Sequence, residues 1–419
     1  MRGLFNFLVM SLLFAVWIGM DALAYGDPSA SPIATPTPIL GASPTLTPAL
    51  ADSSPVPTAS PAPTLSVSVT PTVNSSSAGT GQGEKASPGP NSFSGAANNA
   101  GPGSQATPFK TWQAGSFHMA NGLVVDAQGN IDVVDTLNSR IRQIGPNGVV
   151  TTLGGTFSRD VVDGPGPSAT FDMPCGIAYD TTGNIYIADS GNDLIRKMNG
   201  ADEVTTLAGQ AGVTGVQNGN GTGAFFNNPR AVAVDANGNL YVADTNNNLI
   251  RKINPNRDVT TLAGKVVPGF ADGNGSDASF NHPLGIAVDA SGIVYVADTA
   301  NHLIRKITPK GVVTTLAGGG TGAASNGLGP AASFNWPSGI AVDGSGNLFV
   351  ADSGNGMIRK ITPAGLVSTY AGPNIKGTNL GPPHEGTKFL PYGVAVDSQG
   401  NVYGVAPFEG LIWKITPND

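Results

Sequence analysis

The sequence predicts an all-β fold: a six-bladed β-propeller of four-stranded antiparallel blades, preceded by a disordered leader. Three observations carry that reading. Gly (58) and Pro (33) are abundant in 419 residues and only 12% are charged, a composition for short strands and turns rather than long helices. One block of text then recurs six times, with Asp126, Asp180, Asp235, Asp289, Asp343 and Asp397 spaced 54 or 55 residues apart. Finally, the repeat is out of phase with the chain ends, as a closed ring requires.

The first element is an address. Residues 1–24 hold one positive residue, Arg2, then the apolar run Leu4–Met20 and the small-x-small text Ala22-Leu23-Ala24. This is the pattern of a signal peptide cleaved after Ala24. The alternative is an uncleaved anchor, because the run nears the shortest bilayer-spanning length. Either way the chain is expected to be secreted or held in the cell envelope, and to touch a membrane only through that segment. The single cysteine, Cys175, excludes an intramolecular disulfide.

The second element, residues 25–108, holds 15 prolines set among Ser, Thr and Ala, then a Gly/Asn/Ser-rich stretch. Its few apolar groups cannot offset the entropy of ordering the chain. It reads as a disordered linker, semi-rigid in its Pro-rich half and flexible in its Gly-rich half.

Residues 109–419 hold the repeat. Each unit has four runs of β-branched and apolar residues parted by turn chemistry, the mark of an antiparallel meander. The first turn is Asp-x-x-Gly in all six units, as in Asp289–Gly292. Asp accepts backbone N–H groups there, and Gly supplies a positive φ. The third turn is often Pro-x-Gly, as in Pro309–Gly311. Four strands per unit in six units give a propeller. The last unit stops at Ile415-Thr416-Pro417, where its third turn should begin. Thr111-Trp112-Gln113-Ala114-Gly115, just ahead of the first unit, resembles the orphaned fourth strand. The N-terminal strand is therefore expected to complete blade six and remove a free edge.

The text Gly285-Ile-Ala-Val-Asp289, Val294-Tyr-Val-Ala-Asp298 and Asn301-His302-Leu303-Ile-Arg305-Lys-Ile307, with its five counterparts, resembles the NHL repeat. The resemblance covers residues 109–419 and implies a six-bladed propeller. NHL repeats are shorter than these units. The extra length lies between the fourth strand and the next first strand, as in the Gly/Asn-rich 4–1 segments Gly154–Pro174, Gly209–Pro229 and Gly318–Pro337.

Three residues recur together in five units: Asp135, Asp189, Asp244, Asp298 and Asp352; an Asn three later; an Arg four after that. An acid, an amide and a guanidinium in fixed register predict a hydrogen-bonded network tying strands two and three. A carboxylate ring is also a Ca²⁺ ligand type, but a binding site does not usually repeat identically around a ring. Blade six has Ala406, Glu409 and Trp413 instead, through decay at the closure or as a specialised lip. The Phe of each 4–1 segment (Phe171, Phe226, Phe280, Phe334, Phe389) is expected to wedge between adjacent blades.

Function is expected where the repeat varies. First strands line a propeller's axis, and the position just before each one differs: Asn121, Cys175, Arg230, Leu284, Ser338 and Tyr392. Two residues earlier stand Met119, Met173, Asn228, His282, Trp336 and Leu390. From these the candidate ligand-binding residues at the channel mouth are Asn121, Cys175, Arg230, His282, Trp336, Ser338 and Tyr392. Arg supplies charge, Trp and Tyr supply stacking faces, and His, Asn and Ser supply hydrogen bonds. The alternative is loop residues that pack on their neighbours. Of four histidines, only His118 and His282 are expected near the mouth.

The resulting expectation is an exported, monomeric, non-catalytic binding or scaffold propeller. Its ligand would be an extracellular protein, peptide or glycan on the loop-rich face, with no cofactor. The resemblance also implies an alternative, a lyase or lactonase-like hydrolase with Ca²⁺ or Zn²⁺ in the channel. No HExxH, Ser/His/Asp spacing or phosphate loop supports it. Some NHL propellers bind RNA, but residues 109–419 hold 19 Lys and Arg against 24 Asp and Glu, a balance that excludes a nucleic-acid footprint.

Overall fold

The computed structural model describes residues 109–113, 117–372, 390–408 and 410–417. The signal segment, the linker, Phe389, His384 and Glu409 lie outside the described residues.

Six antiparallel sheets form the blades. Blade three is representative: its meander runs Pro229–Val234, Leu240–Asp244, Leu249–Ile253 and Asp258–Gly264. The turns form as the side chains dictate. In blade four, Asp289 Oδ1 accepts the N–H groups of Ser291 (2.8 Å) and Ile293 (3.0 Å), and Gly292 takes φ +75°.

Closure follows the expected route. Blade six comprises Val394–Val396, Val402–Ala406, Leu411–Ile415 and, on its outer edge, Phe109–Gln113. Phe109 stands opposite Ile415 and Gln113 opposite Leu411. The first and last described strands thus share one sheet.

Packing lies at the seams. Among the described residues, six buried apolar clusters each unite residues of two neighbouring blades, including blades six and one. Phe171, Phe226, Phe280 and Phe334 are fully buried in four of these seams, as wedges. Each such side chain contributes roughly 1.5–3 kcal/mol by leaving water.

The Asp/Asn/Arg set forms the predicted network and extends beyond it. Asp298 Oδ1 accepts the Asn281 N–H (2.8 Å), while Oδ2 accepts Asn301 Nδ2 (2.8 Å) and Arg305 (2.7 Å). Its carboxylate oxygens are thereby engaged within the network. Arg305 reaches onward to the 4–1 segment, donating to the carbonyls of Ser279 (3.0 Å) and Ala271 (2.9 Å) and to Asp272 (2.8 Å). It also lies over the Phe280 ring at 5.2 Å.

This changes the reading of the long 4–1 segments. They are not only variable loops. In blades two to five each adds a two-residue fifth strand to the outer edge of the blade that follows it: Gly164–Pro165, Gly219–Asn220, Gly273–Asn274 and Gly327–Leu328. The two terminal nitrogens of the buried guanidinium need four acceptors; for Arg305 the segment supplies three and Asp298 the fourth, while Nε is left without a partner.

Candidate functional site

The first strands meet around the axis. Their backbones approach so closely that a Cβ on Gly285 would sit 2.0 Å from the Ser338 carbonyl. At the closing seam, a Cβ on Gly393 would sit 2.3 Å from the Asn121 carbonyl. Small residues here leave an axial cavity of about 90 Å³, lined by three consecutive residues from every blade. Asn121, Cys175, Arg230, Ser338 and Tyr392 all line it, as does Leu284.

The cavity wall is chemically lopsided. Blades one to three bring Asn121, Cys175 and Arg230 side by side, all nearly buried. Asn121 Nδ2 and an Arg230 terminal nitrogen both point at Cys175 Sγ, at 3.6 and 3.5 Å. The thiol in turn faces the Met173 carbonyl at 3.3 Å. Arg230 Nε donates to Asn228 Oδ1. Asn121 Oδ1 is buried without a hydrogen-bond partner. Across the axis, Ser338 is turned away from the opening: its hydroxyl bonds the Ser353 hydroxyl (2.6 Å) and the Tyr392 carbonyl (2.7 Å).

His282 and Trp336 stand on the rim rather than in the cavity wall. They belong to a set in left-handed backbone conformation: Met119, Met173, Asn228, His282 and Trp336, with φ from +43° to +55°. Bulky residues rarely adopt this region, and such strain persists only where the surroundings enforce it. The enforcement is visible in three blades. Side chains from the preceding blade's 2–3 loop accept the rim residue's N–H: Asp193 for Asn228 (2.6 Å), Asn248 for His282 (2.8 Å) and His302 Nδ1 for Trp336 (3.0 Å).

His302 therefore belongs to the rim, contrary to the expectation that only His118 and His282 lie near it. Its ring meets Trp336 edge-on, with centroids 5.5 Å apart. Sequence reasoning missed it because its role is played toward the following blade, 34 residues ahead. Burial lowers the pKa of both imidazoles, and the Arg230 charge lowers that of His282 further. At neutral pH the rim histidines are thus uncharged and Arg230 is the cation of the cavity wall. Among the described residues no cluster of His, Cys, Asp and Glu is arranged to hold a metal ion.

Comparisons with known proteins agree with this architecture. The NHL repeat pattern matches residues 226–253, 280–307 and 334–361. Protein SUPPRESSOR OF QUENCHING 1, chloroplastic, of Arabidopsis thaliana is 29% identical over 270 residues, 60% of this chain and 26% of that protein. NHL repeat-containing protein 2 of Bos taurus is 36% identical over 134 residues, 29% of this chain and 18% of the relative. The match thus spans about a quarter or less of these relatives' length. Among solved structures, an auxiliary nutrient binding protein from Bacteroides ovatus superposes with a TM-score of 0.52 at 15% identity, covering 72% of this chain and 70% of its own. That likeness concerns the fold.

Proposed function

We propose that this six-bladed NHL-repeat propeller is an exported, non-catalytic binding module. Its ligand is an extracellular glycan, peptide or protein that presents an acidic group at the channel mouth. One observation carries the reading. Near-symmetric backbone positions hold unlike side chains, and three adjacent blades gather Arg230, Cys175 and Asn121 into one polar wall.

The chemistry supports recognition. A guanidinium held in a narrow, low-dielectric cavity binds an anionic group more strongly than one in open water. Trp336 and His282 on the strained rim and Tyr392 in the cavity wall offer stacking surfaces for the rest of the ligand. The test is a glycan and peptide array probed with the full chain. Hits are expected to favour acidic ligands and to weaken at least tenfold in an Arg230→Ala, Tyr392→Ala double variant. Binding that survives both changes would show that the mouth is not the site.

A further inference from the structure

Blades two to five share a socket on their outer edge. The fifth strand enters it with one text: Asp163, Asn218, Asp272 or Asn326, each followed by Gly-x-Gly. The acid or amide accepts the strand-three Arg at 2.6–2.9 Å. It also bonds a strand-four Thr, through the N–H and hydroxyl of Thr206 and Thr315 and the hydroxyl of Thr261 and Thr369. The second Gly donates its N–H to a third-turn carbonyl, as Gly275 does to Gly311 (2.9 Å).

Among the described residues, blade one has the socket without the plug. Its sheet has four strands, and only residues 114–119 separate its first strand from the preceding blade's outer strand. Arg142 and Thr152 face each other in register as their counterparts do. The Arg142 side chain is 13% exposed, whereas the four plugged arginines are fully buried. Its ion pair with Asp135 lengthens to 3.5 Å, against 2.7–2.8 Å in the plugged blades. Among the described residues no side chain accepts from its second terminal nitrogen. Val149 is 56% exposed, and Thr151 and Thr152 are exposed on the strand itself.

We propose that the edge strand Val150–Gly154 is a docking slot for an extended segment of another protein that carries Asp or Asn followed by Gly-x-Gly. The partner adds a short strand, its acid or amide seats on Arg142 and Thr152, and Gly is required where the plug passes close to the edge. Another polypeptide is the proposed source because residues 1–108, 114–116 and 373–389 contain no Asp-Gly or Asn-Gly pair. The slot is on the outer edge of the ring, separate from the axial mouth, and does not depend on what the mouth binds.

The experiment titrates a fluorescent peptide copying Asp160–Ala169 into the full chain and follows its anisotropy. Saturable binding is expected, weakened at least tenfold by Asp163→Ala in the peptide and by Arg142→Met in the protein. Thr152→Pro removes an outward-facing N–H on an edge strand, where proline is tolerated, and gives a second disruption if Arg142→Met misfolds. No saturable binding at millimolar peptide overturns the proposal, as does binding indifferent to these substitutions. Binding that emerges only when residues 1–108 are removed also overturns it, because the slot would then be filled by the chain's own leader.

Discussion

Gly404 faces Trp413 across two strands of blade six, and a Cβ built on it would lie 2.0 Å from the indole. The equivalent residues in the other blades are Val133, Ile187, Val242, Val296 and Val350, each opposite an arginine. Trp413 is fully buried where the repeat has that arginine, and Gly404 makes room for it. Blade six has thus exchanged a polar network for an apolar fill. Gly404→Val should overpack the blade and lower the unfolding free energy by about 3 kcal/mol in a urea titration. Adding Trp413→Leu should recover part of that loss, because the two sites are in contact.

Asp132 is a second exchange. It occupies the strand-two position held elsewhere by Tyr186, Tyr241, Tyr295, Phe349 and Tyr403. The missing hydroxyl comes from across the seam, where Tyr179 of blade two donates to Asp132 beside Gln143 (2.9 Å). Burial pushes the Asp132 carboxyl up to about 6. A raised folded-state pKa contributes stability that is complete below the unfolded value of about 4 and is lost as pH rises through about 6. Asp132→Asn keeps the shape and removes the titration. The stability lost by the parent between pH 4 and 7.5 should exceed that lost by the variant by about 1–3 kcal/mol in paired melts. An equal pH dependence would mean the carboxyl titrates normally. Neither exchange is legible from the repeat alone, since each departure looks like drift until its partner, 47 residues away for Asp132, is in view.

At the scale of the element, strands and turns were readable because their signals are local. The Asp-x-x-Gly turns and alternating apolar runs specify them within about ten residues. The closing strand was readable because Thr111–Gln113 repeats a fourth-strand text out of place. The fifth strands were not, although their Asp/Asn-Gly-x-Gly text was in plain sight. A two-residue strand carries no period, and its reason for being is an arginine 33 residues downstream in the chain. The closing strand yields the element-scale prediction. Removing Phe109–Gln113 leaves the edge Leu411–Ile415 unpaired and should replace one sharp calorimetric transition by a broad, lower one. A truncated chain that melts as its parent does would refute closure by this strand.

In the whole molecule, six seams with one core each make every blade depend on two neighbours, so no blade terminates the stack. An open array of repeats needs caps at its ends; here the ring removes the ends. Ring symmetry also explains how much of the candidate site could be read. Residues that break the repeat at the axis were identifiable as such, and the cavity gathers Asn121, Cys175, Arg230, Ser338 and Tyr392. Which of them face one another was hidden, because Ser338 turns away and Cys175 collects two donors. The rim's left-handed backbone was hidden too, since Met, His and Trp give no hint of positive φ.

The shared sheet of blade six has a mechanical side. Phe109 lies directly opposite Ile415, so a tug that parts the two ends loads that pair first and the pairs behind it in succession, down to Gln113 and Leu411. The seam peels like a zip instead of resisting in parallel shear.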